Sequence, residues 1–225
     1  WRRHVRAYIE AVGISGDSIH ELDVPAGELA HYSKRTIDFE FDFPFGQKEL
    51  LGLAYRTDFD LGAHSKASGV DLSYFDEEKK ERFIPHCFEP TFGVGRLVLA
   101  TISSAYAEDE QNGEKRVYLK FSKNVAPVKA AVFPLLKNKP DLVAKAREVY
   151  AGLKSLVPSV QFDDNGNIGK RYRRQDEIGT PYCITIDFET LDDNAVTIRE
   201  RDSMKQERIG IDQVESWLAP KLLGC

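Results

Sequence analysis

His86-Cys87-Phe88-Glu89-Pro90-Thr91-Phe92-Gly93-Val94-Gly95-Arg96-Leu97-Val98 is the stretch on which the reading of this chain turns. A carboxylate ends an apolar run, and an arginine falls in the first turn of the apolar helix that follows. A cation there opposes the helix macrodipole by a few tenths to about 1 kcal/mol, so an anion, phosphate above all, is expected beside it. The competing reading is an amphipathic helix whose Arg96 is simply solvated.

Outward from this stretch, residues 1 to about 107 read as strands ending in a helix. The alternation Ile37-Asp38-Phe39-Glu40-Phe41-Asp42-Phe43 predicts a half-buried antiparallel strand closed by Pro44. Lys48 to Tyr55 predicts a second strand, Phe83 to Phe88 a third, and Pro90 with the glycines a turn into a helix from about Gly93 to Ala107. The acidic stretch Glu108 to Glu114 reads as a surface loop, which places a linker at about 108–125.

Beyond it the pattern is strand, helix, strand: Ala130 to Leu135, Pro140 to Leu156, Val160 to Asp163. Pro140 and Asp141 suit a helix start, and Leu142, Ala146, Val149 and Leu153 recur at helical spacing. A second helix is expected over Ile168 to Ile178, stopped by Gly179 as a left-handed cap. Tyr182 to Phe188 alternates, Asp192-Asp193-Asn194 turns, and Val196 to Glu200 returns as a hairpin; Asp212 to Leu218 predicts a last helix.

With 225 residues the chain is long enough for two ordinary domains. At 42% apolar and 30% charged it reads as globular, and no apolar run approaches the ~20 residues of a membrane span. Cys87, Cys183 and Cys225 show no paired spacing, which suits a reducing compartment and free thiols acting as small hydrophobes. The net charge of −5 argues against a uniformly basic nucleic-acid binder. Residues 115–175, however, hold 14 Lys and Arg against 4 Asp and Glu, a local cationic segment where a polyanion would dock, or else a solvated lysine-rich face.

Glu89-Pro90-Thr91-Phe92-Gly93-Val94-Gly95-Arg96 resembles motif 3 of class II aminoacyl-tRNA synthetases, in the form found in the dimeric glycyl-tRNA synthetases. Glu28-Leu29-Ala30-His31-Tyr32 and the block Phe43 to Leu61 resemble that family's catalytic domain. Ile168-Gly169-Lys170-Arg171-Tyr172, Asp176-Glu177-Ile178-Gly179 and Arg199 to Met204 resemble its anticodon-binding domain. The resemblance runs from about residue 28 to about residue 218. It implies an α/β chain in two parts. Residues 1–122 are an α+β antiparallel class II catalytic-core fragment with motif 3 at 84–107, and residues 123–225 are a mixed-sheet α/β anticodon-binding domain.

The function so implied is a cytoplasmic glycine–tRNA ligase using ATP and Mg2+, with glycine and tRNA(Gly) as partners and a homodimer in the full-length enzyme. Glu89 and Arg96 match the catalytic positions; Glu89, Pro90, Thr91, Phe92 and Gly93 match the glycine-binding ones. Thr91 stands where serine is usual, at the place that excludes an alanine methyl. Glu49, Leu50, Gly93, Val94, Gly95 and Arg96 match ATP-binding positions, with Glu49 also toward the metal. Adenylate formation needs positioning and charge stabilisation more than acid–base chemistry.

Lys170, Arg171, Arg173 and Arg174 suit RNA phosphates, and Asp176 or Glu177 suits the exocyclic amine of a cytosine, since glycine anticodons end in two of them; a helix laced by its own ion pairs is the alternative. Arg56, Asp58, Asp60 and His64 lack metal-ligand spacing, and pairing of Arg56 with the aspartates is the expected role. His31 is expected to be a packed structural residue. Motifs 1 and 2 are not found and the start lacks methionine, so a fragment with little adenylate formation alone is expected. The alternative function is a non-catalytic nucleic-acid-binding protein of synthetase ancestry, of the polymerase accessory subunit type. Glu49, Glu89 and Arg96 together favour the enzyme.

Overall fold

The computed structural model describes residues 1–111, 113–157 and 159–223, so Cys225 lies outside the described residues. The chain divides into two compact units, residues 1–103 and residues 104 onward. The first opens with helix α1 (Arg2–Ala11), followed by strands β1 (Ile19–Asp23), β2 (Arg35–Phe43) and β3 (Gly46–Thr57). Helix α2 (Phe59–Ser68) and the small pair β4 (Tyr74–Asp76) and β5 (Glu81–Phe83) lead to β6 (Cys87–Phe92) and helix α3 (Val94–Ala105). The main sheet is antiparallel, in the order β1-β2-β3-β6.

The phenylalanines of the alternating run, Phe39, Phe41 and Phe43, face one side and are buried with Leu51, Leu53, Ala100 and α1 residues Val5 and Ile9. Helix α1 was not expected from the sequence; only two of its ten residues are buried, a thin apolar signal in a polar stretch. The third strand also differs from expectation. Phe83 ends β5, and β6 runs Cys87–Phe92, so Glu89, Pro90 and Thr91 lie within a strand and not in a turn. Pro90 is tolerated because, among the described residues, β6 pairs on one side only, with β3.

A register shift between Phe39 and Glu40 sets Phe39 against Leu51 and Glu40 against Glu49, leaving Leu50 as an extra residue in β3. Both Leu50 and Leu51 are consequently buried in the core, and Glu49 is turned to the opposite face. Without this bulge, Glu49 would share the core face with Leu51, two residues on.

In the second unit, β7 (Tyr106–Gln111) and β8 (Glu114–Leu119) form an antiparallel hairpin where a linker loop was expected. Then come β9 (Ala130–Pro134), α4 (Pro140–Leu156), β10 (Val160–Phe162), α5 (Ile168–Glu177) and β11 (Tyr182–Ile186). The short helix α6 (Phe188–Asp193), β12 (Ala195–Glu200), β13 (Gln206–Gly210) and α7 (Val214–Leu223) complete it. The five-stranded sheet has the order β10-β9-β11-β12-β13, parallel through β11 and antiparallel beyond it. Leu142, Ala146, Val149 and Leu153 of α4 are all buried against it. Asp192 to Asn194, expected as a turn, close α6, with Asn194 in the left-handed conformation at its end. Strand β13 was not anticipated.

Candidate functional site

On the first unit, β3 and β6 set Gly52 opposite Thr91 and Ala54 opposite Glu89. Alternation therefore puts Glu89 and Thr91 on the face away from the core. Together with Glu49, Asp38, Glu28 and Tyr32 they line a cavity of about 310 Å³. Pro90 and Phe92, offered from the sequence as contacts to glycine, lie on the other face, where the Phe92 ring meets Tyr8 edge-on at 5.0 Å. Leu50 is likewise corrected: its side chain is core and faces away from Glu49. Val94 is exposed, and an added Cβ on Gly95 would meet no protein atom within 4 Å.

Arg96 lies in the first turn of α3, which carries no acidic residue. Its Nη1 donates to the Glu49 carbonyl oxygen at 2.6 Å and stands 3.8 Å from the Glu49 carboxylate. Thus Arg96 adjoins the carboxylate that the bulge aims into the cavity. Glu49 Oε1 and Asp38 Oδ1 both lie beside Gly52, 3.6 and 3.8 Å from where a Cβ would stand. Burial, then the negative charges of Glu49 and Glu40, pushes the Asp38 carboxyl above its ordinary range. Such a crowd of carboxylates is the electrostatic setting that a cation relieves.

Arg56 is a site residue that the sequence reading left among structural ion pairs. It does pair with Asp60, through Nε and Nη2 at 2.6 Å each, but Nη1 also donates to Glu89 Oε2 at 2.6 Å. Its guanidinium stacks 3.8 Å above the Tyr32 ring, and the two carboxylates hold its pKa above the ordinary arginine value. Thr57 follows with φ +52°, a strained conformation for a β-branched residue, where the pairing of β3 with β6 slips between Tyr55 and Thr57. His31 touches the rings of Tyr32 and Phe59. Among the described residues no group of three or more His, Cys, Asp or Glu is arranged as a metal cluster.

The second unit holds a larger cavity of about 670 Å³, walled by the β7–β8 hairpin, α5 and strands β12 and β13. Lys115, Arg116, Lys170, Arg173 and Arg199 make its lining cationic. Arg199 is 2% exposed; its Nη2 donates to Asp176 Oδ1, while Nε and Nη1 have no hydrogen-bond partner. Both of these nitrogens are enclosed by protein, and the Cys183 thiol on the neighbouring strand lies against the Arg199 side chain.

Several sequence-derived RNA contacts are corrected here. Arg171 is 1% exposed and donates to four backbone carbonyls, those of Pro134, Asp164, Asn165 and Gly166, so it staples the fold and meets no ligand. Asp176 is buried on the cavity floor with its carboxylate committed to Arg199 and Arg116, leaving it unsuited to a base amine. Arg174 binds Asp163 and the Asn165 carbonyl outside the cavity. Glu177 lies 3.9 Å from Arg173 and does not line the cavity. Of the six candidates, Lys170 and Arg173 are the exposed cations that line it. Arg199, missed earlier, carried one signal: an arginine inside the buried strand Val196–Arg199 must find a carboxylate. Cys183 is buried, its thiol pushed up to about 12, and acts as a hydrophobe as expected.

Residues 129–221 match the family model described as "Anticodon binding domain". The chain as a whole is 55% identical to the glycine–tRNA ligase of Thermobifida fusca, over 97% of this chain and 48% of that one. With the glycine–tRNA ligase of Streptomyces coelicolor the identity is 49%, over 100% and 50%; with that of Caldanaerobacter subterraneus it is 47%, over 99% and 47%. The chain spans about half the length of the curated relatives it matches. An antiparallel sheet unit with a carboxylate-lined cavity, followed by an anticodon-binding domain, is the class II aminoacyl-tRNA synthetase arrangement. Within that class the chain belongs to the glycyl-tRNA synthetase family. Among the described residues no helix is long and apolar enough to cross a membrane.

Proposed function

We propose that the chain supplies the amino-acid cleft and the anticodon reader of a cytoplasmic, homodimeric glycine–tRNA ligase. The observation that carries this reading is the single cavity shared by Glu89, Thr91 and Glu49, with Arg96 adjoining Glu49. Glu89 receives the glycine ammonium, and its hold on Arg56 keeps the carboxylate oriented. Thr91, across from Gly52, fills the space an alanine side chain needs. Exclusion is the available route for the smallest amino acid, because hydrophobic contact separates one methyl by only about 1–3 kcal/mol. Arg96 braces the triphosphate of ATP with a planar fork of donors.

Magnesium fits the donor set: Glu49 and Asp38 are paired carboxylates of the kind that share Mg2+ with phosphate oxygens, and the ion would neutralise charge on the leaving pyrophosphate. When the glycine carboxylate attacks the α-phosphorus of ATP and pyrophosphate leaves, the chain's own part is alignment and charge stabilisation. In the second unit, Lys115, Lys170 and Arg173 meet phosphates of tRNA(Gly). The names of the relatives and the retained carboxylates support the enzyme over a non-catalytic polymerase accessory role.

The test joins this chain to the part of the Thermobifida fusca relative that it does not match. The joined protein is expected to catalyse glycine-dependent ATP–pyrophosphate exchange, and Glu89→Gln to lower kcat/KM for glycine by about 100-fold or more. Absence of exchange in an otherwise folded joined protein, or an unaffected Glu89→Gln variant, would refute the assignment.

A further inference from the structure

We propose that Met204 is the apolar platform against which one anticodon base of tRNA(Gly) stacks in the cationic cavity of the second unit. This rests on the assignment of that cavity to the anticodon. A base drawn out of its stack brings a flat apolar face as well as polar edges, so a site that holds it needs a surface for the face and cations for the phosphates. The lining is rich in cations, and apart from Gly169 it offers two residues with apolar bulk, Tyr172 and Met204. Tyr172 is already engaged: the Arg199 guanidinium lies 4.4 Å over its ring, the Phe133 ring meets it at 5.4 Å and 88°, and its hydroxyl bonds that of Thr185. Met204 is half-buried on the cavity wall, and an unbranched, polarizable thioether adapts readily to the face of a ring.

The backbone singles out the same residue. Met204 lies in the connection 201–205 between β12 and β13, which the Glu200 N–H closes by donating to the Lys205 carbonyl. It holds φ at +55°, in the left-handed region where glycine and asparagine are at ease and most side chains are strained. Asn194 takes the same region at the end of α6, as a position selected for its turn alone would. At 204 a long apolar side chain stands there, which serves the turn less well than asparagine would, and it stands where the cavity lacks apolar surface. A turn residue with no part in binding would be exchangeable for glycine or asparagine with a gain in stability and no other effect.

The experiment measures urea midpoints and the affinity of the 225-residue chain for a tRNA(Gly) transcript over a salt series. Met204→Gly and Met204→Asn are expected to raise the midpoint and yet to weaken binding about fivefold or more, with the salt slope unchanged because no phosphate contact is lost. Met204→Leu, which keeps the apolar bulk, should bind within about twofold of the parent chain. Met204 is the one methionine of the chain, so methionine-methyl labelling isolates its signal, assigned by its loss in Met204→Leu. Saturation with the transcript should move that signal upfield, as a base plane does to a methyl lying over it. Parent affinity in Met204→Gly, an unmoved methyl signal, or a midpoint lowered in both the glycine and asparagine variants would overturn the platform. Lys170→Ala and Arg173→Ala should each weaken binding and flatten the salt slope. If they do so while the Met204 variants bind normally, the platform falls and the cavity assignment stands; if neither alters binding, the assignment falls and takes the platform with it.

Discussion

Replacing Arg171 by alanine is expected to destabilise the second unit by about 4 kcal/mol or more, a large part of the ~5–15 kcal/mol that holds an ordinary domain folded. The side chain is 1% exposed and satisfies four carbonyls from two segments that approach each other, the end of β9 and the loop Asp164 to Gly166 ahead of α5. Removing it strands buried acceptors at about 1–3 kcal/mol each and leaves a void the size of a guanidinium. Burial draws the Arg171 pKa below the ordinary arginine value, yet the planar fork keeps its charge because the carbonyls surround it. Arg171→Lys should recover only part of the loss, since an ammonium reaches fewer of these oxygens. Lys170→Ala, one position away and exposed, should shift stability by less than about 0.5 kcal/mol. Urea unfolding of the three variants checks this. Loss of tRNA binding in an Arg171 variant would therefore report unfolding and not a lost contact, which makes Lys170→Ala the informative probe of the cavity.

The second large effect is expected at Gly179. The residue sits at φ +81°, and a Cβ there would lie 2.5 Å from Phe121 Cδ2 and 2.8 Å from the Leu119 carbonyl oxygen. Phe121 is a buried ring and Leu119 O is backbone, so neither gives way as a flexible side-chain tip would. Gly179→Ala adds a left-handed penalty of about 1–2 kcal/mol to an overpacking cost of about 1–3 kcal/mol. A loss of about 3 kcal/mol in urea unfolding is the expected sum. The same glycine donates to the Asp176 carbonyl and accepts from Arg201 Nη1, so a shift there also disturbs the floor of the cationic cavity. Arg201 joins Gly179 to the Phe121 carbonyl through its other nitrogen, which spreads the strain further.

Gly179 was legible in the sequence, as was α4, because each announces itself locally: a glycine after a periodic run, and four apolar residues at helical spacing. The β7–β8 hairpin was not. Tyr106-Ala107-Glu108-Asp109-Glu110-Gln111 reads as an acidic loop, and it becomes a strand only through its pairing with Glu114–Leu119. Long-range pairing likewise decided the site. Glu89 and Thr91 were named from the motif, but their common face, and the turning away of Pro90 and Phe92, follow from the β3–β6 register. The burial of the Leu50 side chain was not legible, because a bulge, which leaves no mark in the side-chain pattern, buries two successive leucines and sends Glu49 outward.

Burial likewise separated the arginines. Arg171 and Arg174 share a helix with Lys170 and look alike in sequence, yet one is enclosed by carbonyls and the other by Asp163. Arg199, in a strand read as the return arm of a hairpin, proves to be buried, with its charge met by Asp176. Only the approach of α5 and β8 to β12, which places Asp176 and Arg116 around it, distinguishes it from an ordinary strand arginine.

The most direct measurement is a crystal structure of the joined protein with a non-hydrolysable glycyl-adenylate analogue. The glycyl amine is expected within hydrogen-bond reach of the Glu89 carboxylate, its Cα against the Thr91 methyl, and Arg96 on the nucleotide side beside Glu49. An analogue bound outside the cavity of Glu49, Glu89 and Thr91, or one whose amine meets neither Glu89 nor its neighbours, would contradict the account.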